Sequence, residues 1–328
     1  MKQRVLSTRG ELPGTGLGRL ARHTELVRWT GSGEPAPAEL ACLATGAEGI
    51  LCLGNDRVDA ALLDAAGPAL RVVSLASMGY DAVDQAAARE RGIIVTHTPG
   101  VLAETTADLA FALILQARRR LGAARDSLRA GEWGHFVMDG YLGLDVHGAT
   151  LGLIGYGQIG RAMARRAAGF GMRVLHHDPA APAAPTGDGA SEPVDLPTLL
   201  AESDVVSLHV PLTPGTRHLI GAAQLRTMKP TATLVNTARG GVVDETALLA
   251  ALRSGVIHSA GLDVFEREPR GADVADLVAA ERLVALPHVG SATHATRAAM
   301  VDLAVDNLLD VLADRPARTP IPAPAVAA

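Results

Sequence analysis

Leu151-Gly152-Leu153-Ile154-Gly155-Tyr156-Gly157-Gln158-Ile159-Gly160 decides how this chain of 328 residues is read. The apolar residues before Gly155 suit a central parallel strand covered on both faces. The strand then breaks into a glycine turn that opens a helix. In such a turn Gly155 permits the tight bend, Gly157 lets backbone approach a pyrophosphate, and Gly160 lets the helix pack close to the sheet. The first N–H groups of the helix point at the phosphates, and the helix dipole favours their charge. Downstream, Met172 to His177 form a second strand that ends at Asp178, 18 positions after Gly160. That is near the roughly 20-residue offset of an acid that binds the adenosine ribose. Strand, glycine turn, helix, strand and acid in this order point to dinucleotide binding. Asp178 repels a 2′-phosphate, and residues 179–195 contain no Lys or Arg. NAD is therefore expected over NADP.

Short apolar runs alternate with helical patterns on both sides of this stretch. Strands are expected at Val5, Glu25, Gly49, Arg71 and Gly92, with helices at Gly18–Arg22, Asp59–Ala66 and Val83–Arg91 between them. Such alternation argues a parallel α/β unit. It has no glycine fingerprint. A second block begins near Ala149, with six strands at Thr150–Ile154, Met172–His177, Asp204–His209, Ala232–Asn236, His258–Asp263 and Arg282–Leu286. Residues 101–120 read as one long helix ended by the solvated cations Arg118, Arg119 and Arg120. Residues 121–148 read as irregular and 179–194 as a surface loop. The last helix is expected at Thr296–Ala313, followed by a mobile Pro/Ala tail after Arg315.

Composition excludes several classes. Hydrophobic residues make up 48% and charged residues 20%, which describes a globular chain rather than a disordered one. A net charge of −5 gives no reason to invoke nucleic acid or an anionic membrane. The longest apolar helix carries Glu104 and Asp108 and is too short to span a bilayer. With no apolar signal region at the N-terminus, a cytoplasmic location is expected. Cys42 and Cys52 are the only cysteines, too few for a disulfide framework or a zinc cluster. His176 and His177 are adjacent in a strand and point to opposite faces, so no metal site is expected. The only lysines are Lys2 and Lys229, poor candidates for Schiff-base chemistry.

Three ionisable residues stand after strands of the second block: Arg239, Glu268 and His288. Ligands of open α/β sheets bind outside the carboxyl ends of the strands, so these loops could share one cleft. Taken singly, each has an ordinary reading as a packed histidine, a loop cation or a solvated turn.

Together the motifs resemble the D-isomer-specific 2-hydroxyacid dehydrogenase family, from about Val5 to Leu312. The resemblance rests on the glycine turn, Asn236-Thr-Ala-Arg-Gly-Gly, Gly261-Leu-Asp-Val-Phe-Glu-Arg-Glu-Pro and Pro287-His-Val-Gly-Ser. Ser77-Met-Gly-Tyr-Asp, the run from Thr98 to Ala110 and the run from Pro211 to Gly221 look most like glyoxylate/hydroxypyruvate reductases. The resemblance implies two doubly wound parallel-sheet domains. A Rossmann dinucleotide-binding domain, 99–289, is inserted into a discontinuous flavodoxin-like substrate domain, 1–98 and 290–328.

Carried over by motif, Arg239, Glu268 and His288 are the catalytic set; Glu266 is excluded because the family's acid directly precedes the proline. Gly155, Gly157, Gln158, Ile159, Gly160, Asp178, Thr237, Asp263, Gly290 and Thr106 are implied for the cofactor. Met78 and Gly79, with Arg239 and His288, are implied for the substrate. Met78 stands where phosphite dehydrogenases carry lysine, and Glu268 where formate dehydrogenases carry glutamine, which argues against both substrates. His97 replaces an asparagine common in related reductases.

The chemistry asks for these residue types. Reducing a 2-oxo acid puts hydride on carbon and a proton on oxygen, and histidine can give or take that proton near neutral pH. A neighbouring carboxylate orients the ring. Arginine's planar fork suits the substrate carboxylate. The expected function is NAD(H)-dependent interconversion of a small 2-oxo acid, glyoxylate or hydroxypyruvate favoured, with its D-2-hydroxy acid, in a homodimer paired through residues 121–145. A phosphoglycerate-type dehydrogenase and a dinucleotide-sensing corepressor share the fold and the triad, and stand as alternatives. A methyltransferase would leave the Arg, Glu and His motifs unexplained.

Overall fold

The computed structural model describes residues 2–180, 191–268 and 275–322. The first elements are β1 (Arg4–Ser7), α1 (Gly16–His23), β2 (Glu25–Arg28), α2 (Pro37–Ala44), β3 (Gly49–Cys52), α3 (Ala60–Ala66), β4 (Val72–Leu75), α4 (Gln85–Glu90) and β5 (Ile94–Thr96). Two helices follow, α5 (Ala103–Arg118) and α6 (Leu121–Arg129). The second block runs β6 (Thr150–Ile154), α7 (Gln158–Gly169), β7 (Arg173–His177), β8 (Ser191–Pro193), α8 (Leu196–Glu202), β9 (Val205–Leu208), α9 (Ala222–Thr227) and β10 (Thr233–Asn236). It ends with α10 (Glu245–Ser254), β11 (Ser259–Leu262), α11 (Ala275–Val278), β12 (Leu283–Ala285) and α12 (His294–Leu312). Contacts divide the chain into one unit of Met1–Leu102 with Ser291–Ala328 and another of Ala103–Gly290.

The first unit holds a five-stranded parallel sheet in the order β2-β1-β3-β4-β5, the flavodoxin-like order. Alternate residues serve opposite faces. Val5, Leu51 and Val72 pack with Leu20 of α1 and Val301, Val305 and Leu308 of α12. Leu6, Ile50 and Val73 pack with Leu40, Leu62 and Ala88 of α2, α3 and α4. The unit is discontinuous because α12, at the chain's end, completes one of these faces; Ser74 Oγ donates to the Ala304 carbonyl at 2.8 Å. The expectation of a mobile tail after Arg315 needs correction up to residue 322. Pro320 bridges Thr96 in antiparallel fashion, and the Ile321 N–H donates to the Val95 carbonyl at 3.0 Å. Arg315 and Arg318 both pair with Asp310, which fastens the segment to α12. Residues 323–328 lie outside the described residues.

In the second unit the sheet is wholly parallel, in the order β12-β11-β10-β9-β6-β7-β8. Strand order reverses between β6 and β9, and ligands of doubly wound sheets bind at this switch point. Leu151 and Leu153 of β6 pack with Ala107, Ile114 and Met163 of α5 and α7. Ile154 packs on the opposite face with Leu199, Leu225 and Leu248 of α8, α9 and α10. The sheet has seven strands where six were expected. The seventh, β8, is a three-residue edge strand, Ser-Glu-Pro, too short and polar to show apolar alternation. It also ends the expected 179–194 loop early; residues 181–190 of that loop lie outside the described residues.

The expected helix over 101–120 is α5, and a second helix follows it where irregular chain was expected. Arg120, with φ of +53°, bends the chain between α5 and α6, so residues 121–129 are helical rather than irregular. Arg118 is no solvated helix end either: it is 5% exposed. Its Nε donates to the Asp145 carbonyl at 2.9 Å and its Nη1 to the Asp204 carbonyl at 2.7 Å. Burial lowers its pKa, opposed by the charges of Asp204 and Asp145. Replacing Arg118 by Met strands these carbonyls in the interior and should cost about 2–3 kcal/mol of stability. A fall in thermal midpoint, with turnover kept in the cold, is the expected result; an unchanged midpoint contradicts it. Among the described residues, no helix is long and apolar enough to cross a membrane.

Candidate active site

The glycine turn of the second unit has the geometry of a phosphate cradle. Gly155 has φ of +94°, and a Cβ there would lie 2.5 Å from the His209 carbonyl oxygen, so only glycine fits. A Cβ on Gly160 would lie 2.3 Å from the Gly155 oxygen, which is the close helix-to-turn packing its position demands. Gly157 differs: a Cβ there meets nothing within 4 Å, so this backbone faces open space at the N-terminus of α7. Gln158 is exposed, and Ile159 packs partly onto the core beneath. Asp178, just past β7, accepts from the Tyr156 N–H at 2.8 Å and the Ala180 N–H at 2.9 Å. Its carboxylate thus sits against the turn itself.

More of the implied cofactor residues gather at the carboxyl ends of β10, β11 and β12. Thr237 is 7% exposed and its Oγ1 has no hydrogen-bond partner among the described residues. Thr106 of α5 and Asp263 both lie within 3.5 Å of where a Gly290 Cβ would stand. An orphaned buried hydroxyl, an open glycine backbone at a helix N-terminus and an acid at the next strand end together fit a dinucleotide.

The three residues expected to be catalytic lie on three loops of the same edge. Arg239 follows β10, in a loop organised by the fully buried Asn236. Asn236 Nδ2 donates to the Arg239 carbonyl at 2.9 Å, and its Oδ1 accepts from the Ala238 N–H at 3.0 Å. Glu268 follows β11 and accepts from the Phe265 N–H at 2.7 Å. His288 follows β12, its Nδ1 2.5 Å from Glu268 Oε2. Burial pushes the Glu268 carboxyl up, but the His288 hydrogen bond and charge, the Phe265 N–H and the Arg239 charge outweigh it, and the net direction is down.

Gly240 is what lets the Arg239 loop meet the Glu268 loop. A Cβ there would stand 1.8 Å from the Phe265 carbonyl carbon and 2.3 Å from the Glu266 nitrogen. In the sequence the Arg-Gly-Gly triplet is the one signal of this close approach.

The backbone at His288 has φ of +52°, which a non-glycine residue adopts at a cost of order 1 kcal/mol. Asp263 holds it there. Fully buried, it accepts from the Val289 and Gly290 N–H groups, each at 2.7 Å, while its own carbonyl accepts from the His288 N–H at 2.8 Å. Burial pushes its carboxyl up to about 6, against the pull of the Val289 N–H, the His288 charge and the Gly290 N–H. Both carboxylate oxygens are therefore engaged in shaping the histidine loop, a role its implied place in the cofactor site did not foretell.

Elsewhere, Glu266 pairs with His218 at 3.1 Å instead of with His288. The His176 ring stacks on Tyr156 and His177 Nδ1 contacts the Val194 carbonyl. Met78 and Gly79 belong to the first unit, in the loop after β4.

A parallel sheet with a glycine turn at its switch point defines a dinucleotide-fold protein, and this one carries an Arg, a Glu and a His on neighbouring strand ends. More narrowly, the chain belongs to the D-isomer-specific 2-hydroxyacid dehydrogenase family, whose NAD binding domain model matches residues 111–290. It is 47% identical over 312 residues to a glyoxylate reductase of Korarchaeum cryptofilum, covering 94% of this chain and 92% of that one. Among solved structures it is similar to the TT0316 protein of Thermus thermophilus, with a TM-score of 0.90, 45% identity and coverage of 98% and 100%. It is also similar to an NADPH-dependent glyoxylate/hydroxypyruvate reductase of Sinorhizobium meliloti, determined with NADP and malonate: TM-score 0.84, 36% identity, coverage 98% and 97%.

Proposed function

We propose that this protein is an NAD(H)-dependent reductase of glyoxylate or hydroxypyruvate, with Arg239, Glu268 and His288 as its catalytic residues. The observation that supports this best is the contact between His288 Nδ1 and Glu268 Oε2. Because Nδ1 donates to the carboxylate, Nε2 is the ring atom left to exchange a proton with substrate. The nicotinamide cofactor supplies the hydride that adds to C2 of the 2-oxo acid. As that carbon is reduced, His288 Nε2 gives its proton to the carbonyl oxygen, and in the reverse direction it takes the hydroxyl proton back. Arg239 binds the substrate carboxylate and draws electron density from the adjacent carbonyl. In the first unit, the adjacent N–H groups of Met78 and Gly79 are donors suited to a substrate carboxylate. Thr237, Asp263, Gly290 and Thr106 belong to the nicotinamide end of the cofactor site, and Gly155, Gly157, Gln158, Ile159, Gly160 and Asp178 to its pyrophosphate and ribose end.

Asp178 is the basis for NAD over NADP, since its charge opposes a 2′-phosphate. The test is a panel of 2-oxo acids assayed with NADH and NADPH, on the native chain and on Asp178→Ser. NADH should be preferred by the native chain, and the substitution should move the NADPH/NADH ratio of kcat/KM upward by about 10-fold or more, as loss of one like-charge repulsion does. A native preference for NADPH removes the cofactor assignment; no turnover with any 2-oxo acid removes the whole reading.

A homodimer is part of this proposal. Trp133, Phe136, Met138 and Leu142 are 62%, 78%, 85% and 64% exposed, four large apolar side chains left in water along one short segment. A second copy is the partner whose own arm offers a matching apolar face. The double substitution Phe136→Asp, Met138→Asp should halve the mass measured by sedimentation. A native monomer, or an unaltered mass in the variant, would falsify the arm's role.

A further inference from the structure

We propose that His97, anchored by the C-terminal segment through Thr319, is a positioning residue that aims the N–H groups of Met78 and Gly79 at the substrate carboxylate. The inference rests on the reading of that loop given above and concerns groups of the first unit alone. In the loop, the Ser77 carbonyl accepts from the Thr98 N–H at 2.8 Å, and the Met78 carbonyl lies 2.8 Å from His97 Nδ1. A carbonyl offers no proton, so Nδ1 is the donor. Across a trans peptide, the N–H points opposite to the carbonyl of the preceding residue. Fixing the Ser77 and Met78 carbonyls on residues 97 and 98 therefore turns the Met78 and Gly79 N–H groups outward together. Two adjacent N–H groups turned to one side offer a carboxylate two donors at once. Among the described residues, no group accepts a hydrogen bond from either.

His97 is itself held on three sides. Its N–H donates to the Thr319 carbonyl at 3.1 Å, and its carbonyl accepts from Thr319 Oγ1 at 2.6 Å. Its ring meets Tyr80 edge-on, with centroids 5.2 Å apart. Thr319 in turn is clamped by the fully buried Asn307 of α12: Asn307 Nδ2 donates to Thr319 Oγ1 at 2.8 Å, and Asn307 Oδ1 accepts from the Thr319 N–H at 2.9 Å. The segment that ends the described chain thereby reaches the substrate loop through one imidazole. An alanine at 97 frees the Met78 carbonyl, and the peptide it shares with Gly79 can rotate. An asparagine there can still donate to that carbonyl.

Steady-state kinetics with glyoxylate and NADH, inhibition by oxalate, and thermal midpoints decide the matter for His97→Ala, His97→Asn, Thr319→Val and Gly79→Pro. His97→Ala should raise both the glyoxylate KM and the oxalate inhibition constant about 10-fold, the effect of losing one oriented hydrogen bond to an anion. The KM for NADH and the midpoint should stay near the native values. His97→Asn should recover most of the loss, and Thr319→Val should fall between the two. A glyoxylate KM within twofold of native in His97→Ala overturns the inference, as does a joint loss of midpoint, kcat and NADH affinity that asparagine fails to rescue. If Gly79→Pro weakens glyoxylate while His97→Ala does not, only the inference falls. If neither variant weakens it, the loop's assignment to the carboxylate falls as well.

Discussion

His288→Ala should reduce 2-oxo acid turnover by about 1,000-fold or more, within the range that a positioned general acid supplies, while NADH still binds. Nδ1 is committed to Glu268, so in the proposed mechanism the other ring nitrogen carries the proton exchange, and alanine leaves only water to do it. Fluorescence titration with NADH separates binding from chemistry, and single-turnover traces show which step is lost. Turnover near the native rate would end the assignment of His288 as the acid. Glu268→Gln keeps the shape but removes the charge that orients the ring, and should cost less. The acid side of the rate profile has a definite sign. The Glu268 carboxyl is held below its ordinary value, so its charge and the stabilisation it gives are present above the ordinary carboxylate range and lost only as pH falls through the lowered value.

Gly240→Ala should be nearly as damaging, although the side chain it adds is one methyl group on a residue that does no chemistry. That methyl would overlap the Phe265–Glu266 peptide, with contacts of 1.8, 2.0 and 2.3 Å to backbone atoms. Backbone cannot swing aside as a side chain can, so the Arg239 and Glu268 loops must separate. Displacement of about 1 Å in such a constellation costs on the order of 100-fold in rate, and overpacking of this kind about 1–3 kcal/mol of stability. Gly241→Ala is the matched control. Its Cβ would meet only Leu212 and Arg217 side-chain atoms, at 3.2–3.3 Å, and these can give. Measured kcat and thermal midpoint should fall steeply for the first variant and little for the second. Equal effects would show that the close approach does not hold the triad together.

Much of this architecture was legible in the sequence because parallel α/β sheets write themselves as buried apolar runs. All five strands of the first block and six of the second lie where those runs stand. The misses share a cause: the signal was tertiary. β8 is a polar edge strand defined by its neighbour β7. Arg118 reads as a surface cation until the segments at Asp145, Asp204 and Thr231 close over it. The tail after Arg315 looks unstructured by composition, and its order comes from pairing with β5, more than 200 positions away, and with α12. In the site, the glycine turn and Asp178 were readable from spacing alone. The pairing of Glu268 and His288 needed the motifs, and the grip of Asp263 on the histidine loop needed coordinates.

The left-handed backbone at His288 sets a bound on how sturdy this protein can become. Glycine at that position would adopt φ of +52° without penalty and would relax the loop. It would also delete the ring. With the proposed role of His288, selection for heat tolerance acting here rewards inactive variants, and a lineage that keeps turning over substrate must find its added robustness elsewhere in the chain.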